Sequence, residues 1–126
     1  MLLNSLYISN SKGKGRGVFT DHFIEADSII EIAPVIILSE NDSKILANTE
    51  LFYYNFQWGK KKTAMALGYG SIYNHSYTPN CKYEAFHKEG FLHFITLRDI
   101  EAGEELTINY NFDPKDQSPL WFKTKK

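Results

Sequence analysis

The chain has 126 residues, carries 14 Lys and Arg against 15 Asp and Glu for a net charge of −1, and is 43% apolar and 15% aromatic. That length predicts one domain with its own core and no second catalytic unit, and that balance excludes a disordered chain and one held on nucleic acid by bulk charge. No window reaches the roughly 20 apolar residues of a membrane span, the N-terminal apolar stretch is too short for a signal peptide, and the lone Cys81 excludes an internal disulfide or a multi-cysteine zinc cluster.

Taken in chain order, the sequence predicts mostly strands. "LYIS" near Leu6 and "GVFT" at Gly17 read as strands, and "KGKGRG", Lys12 to Gly17, interrupts them with alternating cations and glycines. Gly15 and Gly17 permit close backbone approach and positive φ, so exposed amides there suit a carboxylate or phosphate, although a flexible basic turn explains the same residues. The spacing of a Walker loop is absent, and a dinucleotide fingerprint needs a helix to follow. "SIIEIAPVIIL", Ser28 to Leu38, predicts a long strand. "SENDSKILAN" is the one helical window, with Ser39 as N-cap and Ile45 and Leu46 as its apolar side. "FYYNFQW" from Phe52 and "TAMALG" from Thr63 read as strands. "CKYEAF" from Cys81 and "FLHFITL" from Phe91 predict a hairpin turning at Glu89-Gly90, and "ELTINY" from Glu105 ends the series at Tyr110.

Between these strands lies "GSIYNHSYTPNC", Gly70 to Cys81, which gathers polar side chains between two apolar regions. Pro79 removes a donor and biases Thr78 toward an extended backbone, so a constrained loop is expected rather than a helix. As a metal site it is poor, because Asn74, His75 and Cys81 lack the remaining ligands and His22, His87 and His93 show no ligand spacing. Cys81 beside an apolar strand reads as packing, and a Cys-His nucleophile pair has no support. A strand-end Tyr such as Tyr110 ordinarily caps a core. The basic clusters Lys60 to Lys62 and Lys123, Lys125 and Lys126 read as a solvated turn and tail.

Together and in this order, Gly-x-Gly-Val-Phe, Asn-His-Ser-x-x-Pro-Asn and Gly-Glu-Glu-Leu-Thr-x-x-Tyr resemble the SET-domain protein lysine methyltransferases, and the resemblance covers nearly the whole chain. It implies a mainly β fold of several small sheets with few short helices and a C-terminal pseudoknot, in which the last segment passes beneath the loop carrying Asn74 and His75. It also implies one SET domain over residues 1–126, with a core of about 5–112 and a closing segment over 113–126. The implied activity is transfer of methyl from S-adenosylmethionine to the ε-amine of lysine in a protein substrate, with histones among the candidates and no metal. Carried over by residue, the resemblance places the backbone of Lys14, Gly15, Arg16 and Gly17, together with Tyr73, Asn74 and His75, on the cofactor. Tyr110 becomes the active-site tyrosine, and Tyr53, Tyr54, Ile108 and Phe112 line the lysine channel.

Methyl transfer to an amine needs alignment more than a catalytic carboxylate. The nucleophile must be neutral, and removing a proton from lysine near pH 7.4 costs about 4 kcal/mol. A buried aromatic channel lowers that cost and suits the aliphatic stem. This sequence departs from the family at Ser71 and Ile72, where Arg-Phe is common, and at Ile108, where Phe or Tyr bears on how many methyls are added. No cysteines follow Tyr110, so "SPLWFKTKK" is expected to close the site in place of a zinc segment, with Trp121 and Phe122 covering the cofactor or the channel, or simply docking on the core.

A minimal domain of this kind reads its peptide by strand addition at an exposed edge or through a second copy in a homodimer. Neither direct nucleic-acid binding nor a membrane is expected. The compartment is reducing and soluble, the cytoplasm by default, with the nucleus or host chromatin as the alternative for a histone substrate. A different class, a catalytically silent SET-like module that binds peptide or cofactor without turnover, is disfavoured because Tyr110, Asn74, His75 and the glycine loop are all retained.

Overall fold

The computed structural model describes residues 1–120, so Trp121, Phe122 and the lysines after them lie outside the described residues. Within residues 1–120, nine strands form two sheets. The first joins β1 (Leu6–Ser11), β2 (Gly15–Thr20), β9 (Glu105–Ile108) and β6 (Asn74–His75) in the order β1-β2-β9-β6. The second runs β4-β5-β3-β8-β7, from β4 (Phe56–Trp58) and β5 (Lys62–Ala66) through β3 (Ile29–Leu38) to β8 (Phe91–Thr96) and β7 (Cys81–Phe86).

Alternation governs β8, whose Leu92, Phe94 and Thr96 point inward while the residues between them are half-buried. β7 and β8 pair from Cys81↔Thr96 to Phe86↔Phe91, and Gly90, with φ of 78°, takes the left-handed turn position of that hairpin. Pro34 sits inside β3 without costing a ladder bond in mid-strand, because pairing with β8 ends at Pro34↔Phe91 and pairing with β5 begins at Val35↔Ala66. A register shift between Ile29 and Glu31 turns both Ile30 and Glu31 inward. Glu31, 2% exposed, accepts bonds from the Tyr73 hydroxyl at 2.8 Å and the Tyr69 amide at 2.9 Å. Burial pushes its carboxyl up from the ordinary value, against the opposing pull of those two donors.

Three local expectations are corrected. The "FYYNFQW" stretch is not one strand: Glu50–Tyr53 form a 3-10 turn, and only Phe56–Trp58 pair with β5. The cause is the cap at Thr49, whose Oγ1 accepts the Leu51 amide at 3.3 Å and starts a helical turn despite the aromatic run. The helix, α1 (Glu40–Leu46), starts where Ser39 predicts, with the Asp42 amide 3.1 Å from Ser39 Oγ, but it buries Ser43 and Leu46 and leaves Ile45 58% exposed. Ser43 belongs inside because its hydroxyl meets the Thr63 amide at 3.0 Å and so ties α1 to β5. "ELTINY" leaves the ladder after Ile108, where Asn109 bonds the Asp116 carbonyl at 2.7 Å instead.

Val18, Ile30, Ala33, Leu92, Phe94, Ile100, Leu106 and Ile108 fill the centre between the sheets, with Tyr73 stacked on Phe94 at 4.4 Å between ring centroids. Cys81 is fully buried there, and burial pushes its thiol up to about 12, which keeps it a packing group rather than a thiolate. The two-residue β6 is the feature that local sequence pattern misses inside the expected loop. Asn74 and His75 pair in parallel with Thr107 and Ile108, so β9 is inserted between β2 and β6, which is the interlock implied by the resemblance.

Candidate active site

The glycine loop is the turn of the β1–β2 hairpin, closed by the Lys14 amide on the Ser11 carbonyl at 3.0 Å. Gly15 holds φ of 75°, and Gly17 lies so close to its neighbours that a Cβ there would collide with the Glu105 carboxylate and the Asn74 amide. The Asn74 side chain donates through Nδ2 to the Arg16 carbonyl at 3.0 Å and to Glu105 Oε2 at 2.7 Å, and Lys14 Nζ reaches the His75 carbonyl at 3.4 Å. The Lys14 to Gly17 segment, Asn74 and His75 are therefore brought together.

Two buried polar atoms in this cluster have no partner among the described residues, Asn74 Oδ1 and His75 Nε2. Native interiors rarely leave such atoms unmatched, and a ligand with a donor for the first and an acceptor for the second would match them. S-adenosylmethionine carries both, in its ammonium and its carboxylate or adenine nitrogens, and the residues present fit it.

Tyr110 follows β9 and is held from two sides. Its amide donates to His75 Nδ1 at 3.0 Å and its hydroxyl to the Tyr73 carbonyl at 2.7 Å. Burial first, and then the neighbouring Tyr54, Glu105 and Tyr83, push its phenol above the ordinary value, so at neutral pH it is an uncharged hydroxyl and not a base. It forms one wall of a cavity of about 400 Å³, lined by aromatic rings from Tyr53, Tyr54, Phe56, Tyr83 and Phe112.

Two expected site residues stand elsewhere. Ile108 is fully buried in the core and is not on the cavity wall, because the alternation of β9 turns it inward with Leu106. The Tyr73 side chain is buried in the core and also borders the aromatic cavity, and its carbonyl accepts the Tyr110 hydroxyl. Conversely, Tyr83 and Phe56 are wall residues that the motifs do not reach. Tyr83 meets Phe112 edge-on at 5.4 Å and Phe56 at 5.1 Å, while Phe112 is 55% exposed and takes φ of 77°, a conformation uncommon for a bulky side chain. Among the described residues no group of three or more His, Cys, Asp or Glu is placed to hold a metal, and no helix is long and apolar enough to cross a membrane.

His75 gives the site a pH dependence. Burial, and then the charge of Lys14, hold its ring below the ordinary 6.5. A neutral ring can accept the Tyr110 amide at Nδ1, whereas a protonated one presents a second donor to a donor. With the folded value depressed, the contribution is complete above pH 6.5 and is lost as pH falls through the folded value. Thermal unfolding of the native chain and His75→Gln, followed from about pH 8 to pH 5, is expected to show a Tm gap that narrows below about pH 6.5. A gap independent of pH removes the ring from the support of Tyr110.

The SET domain family matches residues 15–111, and the chain belongs to that family. It is 34% identical over 124 residues to a Schizosaccharomyces pombe histone-lysine N-methyltransferase described as H3 lysine-37 specific, a match covering 98% of this chain and 80% of that protein. It is 33% identical over 113 residues to human histone-lysine N-methyltransferase 2B, covering 82% of this chain but only 4% of that much longer protein. A crystal structure of a Plasmodium falciparum protein assigned as a histone methyltransferase superposes with a TM-score of 0.70 at 27% identity, covering 97% of this chain and all of the other.

Proposed function

We propose that the chain methylates the ε-amine of lysine in a protein substrate, with histones first among the candidates, using S-adenosylmethionine as co-substrate. The observation that carries this reading is the meeting of two features at Tyr110: an aromatic cavity shaped for an aliphatic stem, and a glycine-Asn-His cradle with an unmatched buried acceptor and donor.

The backbone of Lys14 to Gly17, with Asn74 and His75, holds the cofactor, and Tyr73 contributes through its main chain. When bound, S-adenosylmethionine supplies a methyl carbon on a sulfonium whose positive charge also disfavours an ammonium nearby. Tyr53, Tyr54, Phe56, Tyr83 and Phe112 enclose the lysine stem and strip water from its amine, which favours the neutral nucleophile. Tyr110, locked through both its amide and its hydroxyl, fixes the wall against which the amine is aligned. Peptide is read at an exposed strand edge or by a second copy. The histone candidate rests on the names of the relatives, and a histone substrate places the protein on chromatin.

The test is transfer of labelled methyl from S-adenosylmethionine to purified core histones and to whole-cell lysate, with calorimetric cofactor binding on the same sample. Label recovered on lysine supports the reading, and the labelled band identifies the substrate. Binding without label on either panel returns the silent module, and no binding overturns the cofactor assignment.

A further inference from the structure

Glu105 lies at the second acidic position of the Gly-Glu-Glu-Leu motif and belongs to none of the roles assigned so far. Its carboxylate spans the first sheet. Oε1 accepts the Ser11 hydroxyl at 2.6 Å, and Oε2 accepts Asn74 Nδ2 at 2.7 Å. Its partners therefore come from β1 and β6, while its own strand β9 lies between β2 and β6.

The geometry leaves the Asn74 amide a single orientation. Both neighbours of Nδ2, the Glu105 carboxylate and the Arg16 carbonyl at 3.0 Å, are pure acceptors, so the NH2 group must face them. Oδ1 is thereby kept as an acceptor unmatched among the described residues, in a residue only 1% exposed. Gly17 has no side chain at the one place where a Cβ would strike both partners of this bond.

We infer that Glu105 is a positioning residue of the cofactor cradle, which fixes the Asn74 amide so that Oδ1 accepts from the ammonium of S-adenosylmethionine. This role rests on the cofactor reading above. A full negative charge at this position also favours a cationic ligand, which a neutral amide in its place does not. Glu105→Gln keeps an acceptor for Asn74 Nδ2 and a donor for Ser11, so the amide stays oriented and only the charge is lost. Glu105→Ala removes both.

The experiment is calorimetric binding of two probes, S-adenosylmethionine and its analogue with the amino group replaced by hydrogen, to the native chain, Glu105→Gln and Glu105→Ala, with the circular dichroism of each variant recorded. The native chain is expected to bind the analogue more weakly. Glu105→Ala is expected to lose roughly tenfold to a hundredfold in affinity for S-adenosylmethionine, as for a lost charge-assisted bond, and little for the analogue, while Glu105→Gln falls between native and Ala. A general loosening of the fold weakens both probes alike, and that result overturns the assignment. So does a native chain that binds the two probes equally. A native chain that binds neither removes the cofactor reading itself. If Glu105→Ala does not fold, Glu105→Met, which fills the volume but offers Asn74 Nδ2 no acceptor, takes its place: a loss confined to the amino-bearing probe supports the role, and an equal loss or none overturns it.

Discussion

Tyr110→Phe is expected to lower kcat for methyl transfer by about a hundredfold or more while leaving calorimetric affinity for S-adenosylmethionine within about threefold. The ring stays, so the wall of the cavity and the contact with the His75 ring, at 5.2 Å between centroids, survive. What goes is the hydroxyl locked onto the Tyr73 carbonyl at 2.7 Å. That carbonyl then lacks its partner, which costs about 1–3 kcal/mol and lowers Tm by a few degrees. The larger effect on rate follows from the type of reaction. No carboxylate is among the described residues that line the cavity, so the proposed transfer depends on alignment, and a displacement of about 1 Å costs about a hundredfold. Single-turnover transfer against calorimetric affinity separates the two effects. Transfer within about threefold of native places the alignment on other groups.

Asn80→Ala is expected to have the largest effect on stability of any single polar substitution near the site. Asn80 is 4% exposed, and its amide acts as an added rung beside β9. Nδ2 donates to the Glu105 carbonyl at 2.8 Å, and Oδ1 accepts the Thr107 amide at 2.8 Å. Truncation leaves two main-chain groups unpaired, for a cost of about 2–4 kcal/mol and a fall in Tm on the order of 10 °C. Hydrogen exchange at the Thr107 amide is expected to rise in step. Asn80→Asp keeps only the acceptor and should lie between native and Ala. A loss below about 1 kcal/mol for Asn80→Ala means that water replaces the side chain at this joint.

Strands set by local alternation were legible, and the hairpin from Cys81 to Thr96 falls where its sequence places it. Even Tyr83 was within reach, since it shares a face of β7 with the buried Cys81 two residues before it. Glu31 was not, because a shift of register reverses its face and no period of two predicts that. The aromatic run at Phe52 misled because β propensity measures fit to a half-buried sheet, and these rings line a cavity instead. Ile108 misled in the opposite sense, because spacing from Tyr110 in the motif says nothing of which way a strand residue points. Asn80 and Glu105 stood inside the motifs from the start. Their roles depend on partners 25 and 94 residues away in the chain, which spacing alone does not reveal.

The insertion of β9 between β2 and β6 is expected to order events during synthesis. A nascent chain that has emerged only as far as Ile100 already contains every strand of the five-stranded sheet, whose β7–β8 and β4–β5 pairings are local. Its other sheet is then a hairpin, β1–β2, beside a two-residue segment with nothing between them. Closing that gap joins residues far apart in sequence, so it is expected to follow the local pairings. The cradle and Tyr110 depend on the same insertion, so a chain interrupted before β9 emerges is expected to lack both.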